Sequence, residues 1–141
     1  MSDSTAPAAA PLRIQLRRAA GWRMPANTVS CARPSLLGNP WPASRFGQSQ
    51  AVALHEIWLR EPNAQALGYA GDLAGKLNAL RDAVLQEIPR LRGMNLACWC
   101  ALPALGQRDC CHAATLLRLA NPDHPPTHQG DRPAVTHDFF F

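Results

Sequence analysis

The stretch Leu96–Asn121, LACWCALPALGQRDCCHAATLLRLAN, decides the fold. Its first part, with Asn95 before it, reads as a strand over Asn95–Cys100. Leu96, Cys98 and Cys100 would share one face and Ala97 and Trp99 the other. Both faces are mostly apolar, as in a central strand covered on both sides. Its last part reads as a helix over Cys110–Ala120. Asp109 is the expected N-cap, Leu116, Leu117, Leu119 and Ala120 supply the packing side, and Asn121-Pro122 ends it.

Upstream, Arg13–Leu16 (RIQL) alternates polar and apolar residues and predicts a short strand. A loop with Gly21 and Pro25 as breakers leads to β-branched Thr28–Ala32, a second strand that Arg33-Pro34-Ser35 ends. Leu36–Pro42 (LLGNPWP) reads as a rigid loop, in which Gly38 is free to take a positive φ. Two helices follow. Ser49–Arg60 carries Ala51, Leu54, Ile57 and Trp58 near one face, with His55 expected at the surface. Asp72–Gln86 carries Leu73, Leu77, Leu80 and Val84 at three-four spacing. The order strand, strand, helix, helix, strand, helix predicts a small α/β domain of two or three layers, on a mixed or parallel sheet of three to four strands.

Composition bounds this domain. Residues 1–11 (MSDSTAPAAAP) and 123–141 are poor in large apolar side chains, and both are expected to be tails around a domain over 12–122. Phe139, Phe140 and Phe141 are the exception, three terminal aromatics suited to docking on a surface. No run approaches the roughly 18 apolar residues of a membrane span. No secretory leader is apparent, so the expected compartment is a cytoplasm that keeps thiols reduced. The net charge is +4 and Lys76 is the single lysine. Arg13, Arg17, Arg18, Arg23 and Arg33 crowd the N-terminal part, which suits an anionic partner, either a phosphate-bearing small molecule or a nucleic acid. Scattered, solvated arginines fit the same count.

Four of the five cysteines lie in the deciding stretch. They admit three readings. Cys98, Cys100, Cys111 and His112 can be the four ligands of zinc, although a structural zinc knuckle normally spaces its cysteines Cys-x-x-Cys on a tight turn. Cys111 and His112 can instead form a site at a helix N-terminus, where unpaired N–H groups and the dipole favour an anion and acidify a thiol. On that reading no cofactor is needed. His112 serves as acid or base, Asn39 hydrogen-bonds a base or sugar, Arg33 and Ser35 hold a phosphate, and Cys100 lines the site. The chemistry would be a hydrolysis or a glycosyl-type transfer of a nucleotide or nucleoside. Third, reduced cysteine is a small hydrophobe, and Cys98 suits a core. Adjacent Cys110 and Cys111 cannot both point inward.

The segments GWRMPANTVSCARPSLLGNPW, LRGMNLACWC and CCHAATLLRLAN together resemble the family called domain of unknown function 4326, over about Arg13–Asn121. Its pattern falls on Gly21-Trp22, Met24-Pro25, Arg33-Pro34-Ser35, Gly38-Asn39-Pro40-Trp41, Gly93, Cys98-Trp99-Cys100 and Cys111-His112-Ala113. The resemblance implies a small bacterial or phage domain and leaves its activity open. A non-enzymatic, zinc-stabilised binding module of phage or prophage origin is the alternative to an enzyme. Met94 departs from the pattern, which commonly has lysine there. Cys110 stands outside it, against any mechanism needing a vicinal pair. The strand and Cys-His helix start are also similar to the family called domain of unknown function 488, which usually lacks the second strand cysteine. That favours a Cys-His site over a four-ligand cage.

Overall fold

A computed structural model describes residues 10–123. The expected tails outside that range, with Phe139–Phe141 and His124, His128 and His137, lie outside the described residues. The elements are β1 (Arg13–Gln15), β2 (Thr28–Ser30), α1 (Ala43–Phe46), α2 (Gln48–Arg60), α3 (Gly71–Glu87), β3 (Asn95–Cys98) and α4 (His112–Ala120), with 3₁₀ turns at Ala64–Leu67 and Ile88–Leu91. The sheet has three strands in the order β1-β3-β2, and both pairings are parallel. The fold is therefore the expected small α/β domain, with the sheet parallel rather than mixed.

The last strand in sequence is thus the middle one in space. Leu96, Ala97 and Cys98 are buried on both faces of β3. Arg13 pairs with Leu96 on one side and Val29 with Leu96 on the other. Asn95 ties the entry edge together, since its Oδ1 accepts from Leu12 N (2.9 Å) and its Nδ2 donates to Thr28 Oγ1 (3.4 Å). At the exit edge Leu16 N donates to Cys98 O and Cys31 N to Ala97 O. The loops after β2 and β3 therefore open on the same, carboxyl edge, where parallel α/β sheets bind ligands.

Helix α4 packs on β3 and β1, α2 packs against α4, and α3 against α2. The core runs through Trp41, Trp58, Leu91, Leu96 and Leu116. Trp41 and Trp58 meet edge to face at 5.4 Å, a favoured aromatic geometry. Asn121 closes the far end: Oδ1 accepts from Gly93 N, and Nδ2 donates to Leu117 O.

Several expectations change. Strand β3 stops at Cys98 instead of Cys100, and Trp99 turns out to 44% exposure, where the Arg18 guanidinium lies 4.5 Å above its ring. Helix α3 buries Ala74 where Leu73 was expected, and Leu73 is 53% exposed. The four-residue α1 is too short to leave a periodic signal. Gly38 does not take a positive φ. Its missing Cβ matters because that atom would lie 2.7 Å from Arg33 Cγ and 3.0 Å from Arg33 Cα.

His55, expected at the surface, is 1% exposed on α2, with its ring 5.3 Å from that of His112 on α4. Burial, then repulsion from His112, pushes His55 down from 6.5 to about 3. An unfolded histidine gains a proton below pH about 6.5 that this folded one refuses. The contribution is complete above that pH and is lost as pH falls toward 3, by up to about 1.4 kcal/mol per pH unit. Urea denaturation across this window should therefore show a shallower loss of stability in His55→Leu than in the wild type. Equal slopes would mean that His55 accepts a proton in the folded state.

Candidate metal centre and cavity

The loop from Trp99 to Cys110 is fixed by a charge that comes from β1. Arg13, 4% exposed, donates from Nε to Asp109 Oδ2 (2.8 Å) and from NH2 to Asp109 Oδ1 (3.3 Å). Its NH1 and NH2 also donate to the carbonyls of Cys100 (2.8 Å) and Ala101 (2.6 Å). A buried guanidinium is tolerated only when its donors are met, and here one side chain holds the loop at both ends. Asp109 is thus held by Arg13, and the N-cap position of α4 falls on Cys111 instead.

That clamp brings three sulfurs together. The Sγ atoms of Cys98, Cys100 and Cys111 all lie within 4.8 Å of one another, and this group could hold a metal ion. Cys98 and Cys100 are 3.8 Å apart. Hydrogen bonds from Cys100, then from Cys111, hold the Cys98 thiol well below the usual range, against the opposing effect of burial. Hydrogen bonding with Cys100 and Cys98, then burial, holds Cys111 well above it. The two thiols are thus pushed in opposite directions by the same contacts. Arg13 favours negative charge beside them. Burial opposes its own ionisation, yet Asp109, Cys111 and Cys100 together raise its pKa.

Among the described residues no fourth His, Cys, Asp or Glu joins the group. His112 is adjacent but turned away, with Nε2 2.6 Å from Cys31 O. Burial lowers its pKa, the Cys31 contact and Cys100 raise it, and Arg33 lowers it further. The ring therefore sits within electrostatic reach of both Arg33 and Cys100. Cys110 faces Ser49 Oγ at 3.8 Å, apart from the trio. The buried Cys31 thiol is pushed up to about 12 by burial and then by Cys98.

Beside the sulfurs lies a cavity of about 250 Å³. Arg33, Asn39, Trp41, Gln48, Cys98, Trp99, Cys100 and His112 are among its lining residues. Of the residues expected at the site, Arg33, Asn39, Cys100 and His112 thus share one cavity, Cys111 lies buried behind it, and exposed Ser35 is not in the lining. Among the described residues no Asp or Glu lines it. Asn39 serves the wall: Nδ2 donates to Ala51 O and Oδ1 accepts from Trp41 N, both at 2.9 Å. Gln48, at the start of α2, is a lining residue that the sequence pattern did not single out. Its Nε2 donates to Cys110 O and lies 3.4 Å from Cys100 Sγ.

The match of the whole β1-to-α4 segment, residues 14–122, to one family model decides the relationship. The chain belongs to the family described as Domain of unknown function (DUF4326). Comparisons with curated proteins and with solved structures gave no match. In this DUF4326 domain Met94, the departure from the pattern, precedes β3 at the edge opposite the cavity and is absent from its lining. A lysine there would not reach the cavity by the backbone's own direction, because β3 carries its exit end away by about 3.3 Å per residue.

The Arg13 clamp carries a testable cost. Removing one member of a buried pair leaves an uncompensated charge, at about 3–5 kcal/mol. Arg13→Ala and Asp109→Ala should each lose stability on that scale in urea denaturation. An Arg13→Met/Asp109→Leu double variant should lose much less than the sum. Additive losses would show that the two groups are not coupled.

Proposed function

We propose that Cys98, Cys100 and Cys111 bind one zinc ion, and that the domain presents this metal beside an acid-accepting cavity. The observation that carries the reading is the sulfur geometry. Zinc holds thiolates at about 2.3 Å, so two vertices of its tetrahedron stand about 3.8 Å apart. Cys98 and Cys100 already have that separation. The remaining sulfur is within 4.8 Å, a small adjustment from the same figure. Zinc with three thiolates carries a net negative charge. Arg13, already drawn to Cys100 and Cys111, offsets it. The set differs from the four ligands Cys98, Cys100, Cys111 and His112, because His112 is held on Cys31 O.

Protein purified without an affinity tag should contain about one zinc per chain by elemental analysis. Cys98→Ser, Cys100→Ser and Cys111→Ser should each lose it, whereas His112→Ala and Cys110→Ser should keep it. Stable, metal-free wild type that takes up no added zinc would overturn the reading. Zinc loss in His112→Ala would restore the four-ligand set.

A second reading concerns the cavity, and the charge of its lining favours it. Arg33 has no carboxylate beside it there, and Arg18 stands over Trp99 at the wall. That combination suits an acidic small molecule, for which a phosphate-bearing one is the expected form. About 250 Å³ lies just under the range of roughly 300–1,000 Å³ typical of ligand pockets, so the cavity takes a small molecule and not a nucleic-acid segment. Inorganic phosphate or a mononucleotide at about one hundred times its Kd should stabilise the wild type by about 2.7 kcal/mol, read as a thermal shift. Arg33→Ala should show a much smaller shift at the same concentration. Equal shifts in the two proteins would remove Arg33 from the site.

A further inference from the structure

We infer that the fourth position on this metal is open, faces the cavity, and is taken by the thiol of a small acidic ligand whose anionic end rests on Arg33. The inference rests on the zinc reading above and adds the identity of the fourth ligand and the chemical class that supplies it.

Three observations carry it. First, among the described residues the donors beside the sulfurs end at three, and no fourth His, Cys, Asp or Glu lies with them. His112, next in sequence to Cys111, has its Nε2 on Cys31 O, and the Gln48 Nε2 is a donor, shared between Cys110 O and Cys100 Sγ, that brings no lone pair to a metal. Zinc sites that keep three protein ligands leave the fourth vertex to water or substrate, whereas structural sites are closed.

Second, the open side is the cavity side. Cys98 and Cys100 line the cavity, whereas Cys111 is fully buried at the start of α4 and absent from the lining. Arg13, with no side-chain exposure, packs from the opposite strand and fills its own donors with Asp109 and the Cys100 and Ala101 carbonyls. A ligand therefore approaches past Trp99 and Arg33.

Third, the two ends of the space ask for different chemistry. A metal already bearing three thiolates is a soft centre, for which sulfur is the matching donor. The other charged group of the wall is the Arg33 guanidinium, a carboxylate or phosphate binder. Arg33, Cys98 and Cys100 line the same cavity of about 250 Å³, so the two ends are within reach of one small molecule. On binding, the ligand's thiol gives its proton to solvent and its thiolate completes the tetrahedron.

Cobalt(II)-loaded protein tests this, because thiolate-to-cobalt absorption reports the number of sulfurs on the metal. The probes are mercaptoacetate and mercaptopropionate, with mercaptoethanol as a thiol lacking the acid and acetate as an acid lacking the thiol. Both thiol acids should raise the absorption saturably, with cobalt remaining at one per chain after gel filtration. Acetate should leave the spectrum unchanged. Arg33→Ala should weaken the thiol acids by at least about tenfold and leave the mercaptoethanol response as in the wild type. A cobalt-loaded protein whose spectrum no thiol moves would overturn the inference while leaving the metal reading standing. So would a spectrum that moves only when His124, His128 and His137 are all changed to Ala, which would identify a fourth protein ligand. Loss of cobalt to the probe, or an Arg33→Ala response equal to the wild type for all probes, would also overturn it. Failure to bind cobalt or zinc at all would overturn the metal reading itself.

Discussion

The buried pair of Arg13 and Asp109 is the interaction on which the rest of this domain depends. It is charged on both sides and shielded from water, so the surrounding fold must keep both partners in place. Arg13 comes from the first strand, and its partners come from the loop that follows the last one. The loop from Trp99 to Cys110 contains Leu102 and Leu105 at 47% and 77% exposure, so apolar packing does little to fix it. The guanidinium does that work by gripping the Cys100 carbonyl at one end and the Asp109 carboxylate at the other. Cys100 and Cys111 are the residues just at those grips, and their sulfurs meet Cys98 as a result.

Much of the fold was legible because its signals are local. The parallel-strand hydrophobicity of Asn95–Cys98, the heptad-like spacing of α3 and the proline stops are read from neighbouring residues, and the elements lie close to where they were expected. Two of the errors share a cause: they involve partners far apart in the chain. Asp109 is a good N-cap by type, and only the presence of Arg13, 96 positions away, redirects it. His55 is polar and mid-helix, and its burial depends on a ring contributed by α4. Gly38 reads as a turn glycine, whereas its role is to leave room for the stem of Arg33.

The candidate site was legible in part. Cys98, Cys100, Cys111 and His112 are conspicuous in sequence, and Arg33 and Asn39 stand out in a motif-rich loop. Their division of labour was not visible. Asn39 spends its amide on the backbone of Ala51 and Trp41, His112 on that of Cys31, and Gln48 enters the wall from a helix with no motif of its own. Spacing in a sequence says which residues are near one another along the chain. It says nothing of which direction a polar atom is already satisfied, and that is what separates a ligand from a strut.

The strand order has a consequence for how the molecule comes into being. Strands β1 and β2 each pair with β3 and not with one another, and β3 is the last of the three to be synthesised. During translation the first two strands emerge with no partner for their ladders, and α2 and α3 leave the ribosome ahead of the sheet they will serve. Only when residues 95–98 appear can the sheet close, and the sulfurs that complete it arrive on that same segment and the one after it. Closure of the sheet therefore waits on residues 95–98, and the thiol trio is completed only when Cys111 follows at the head of α4.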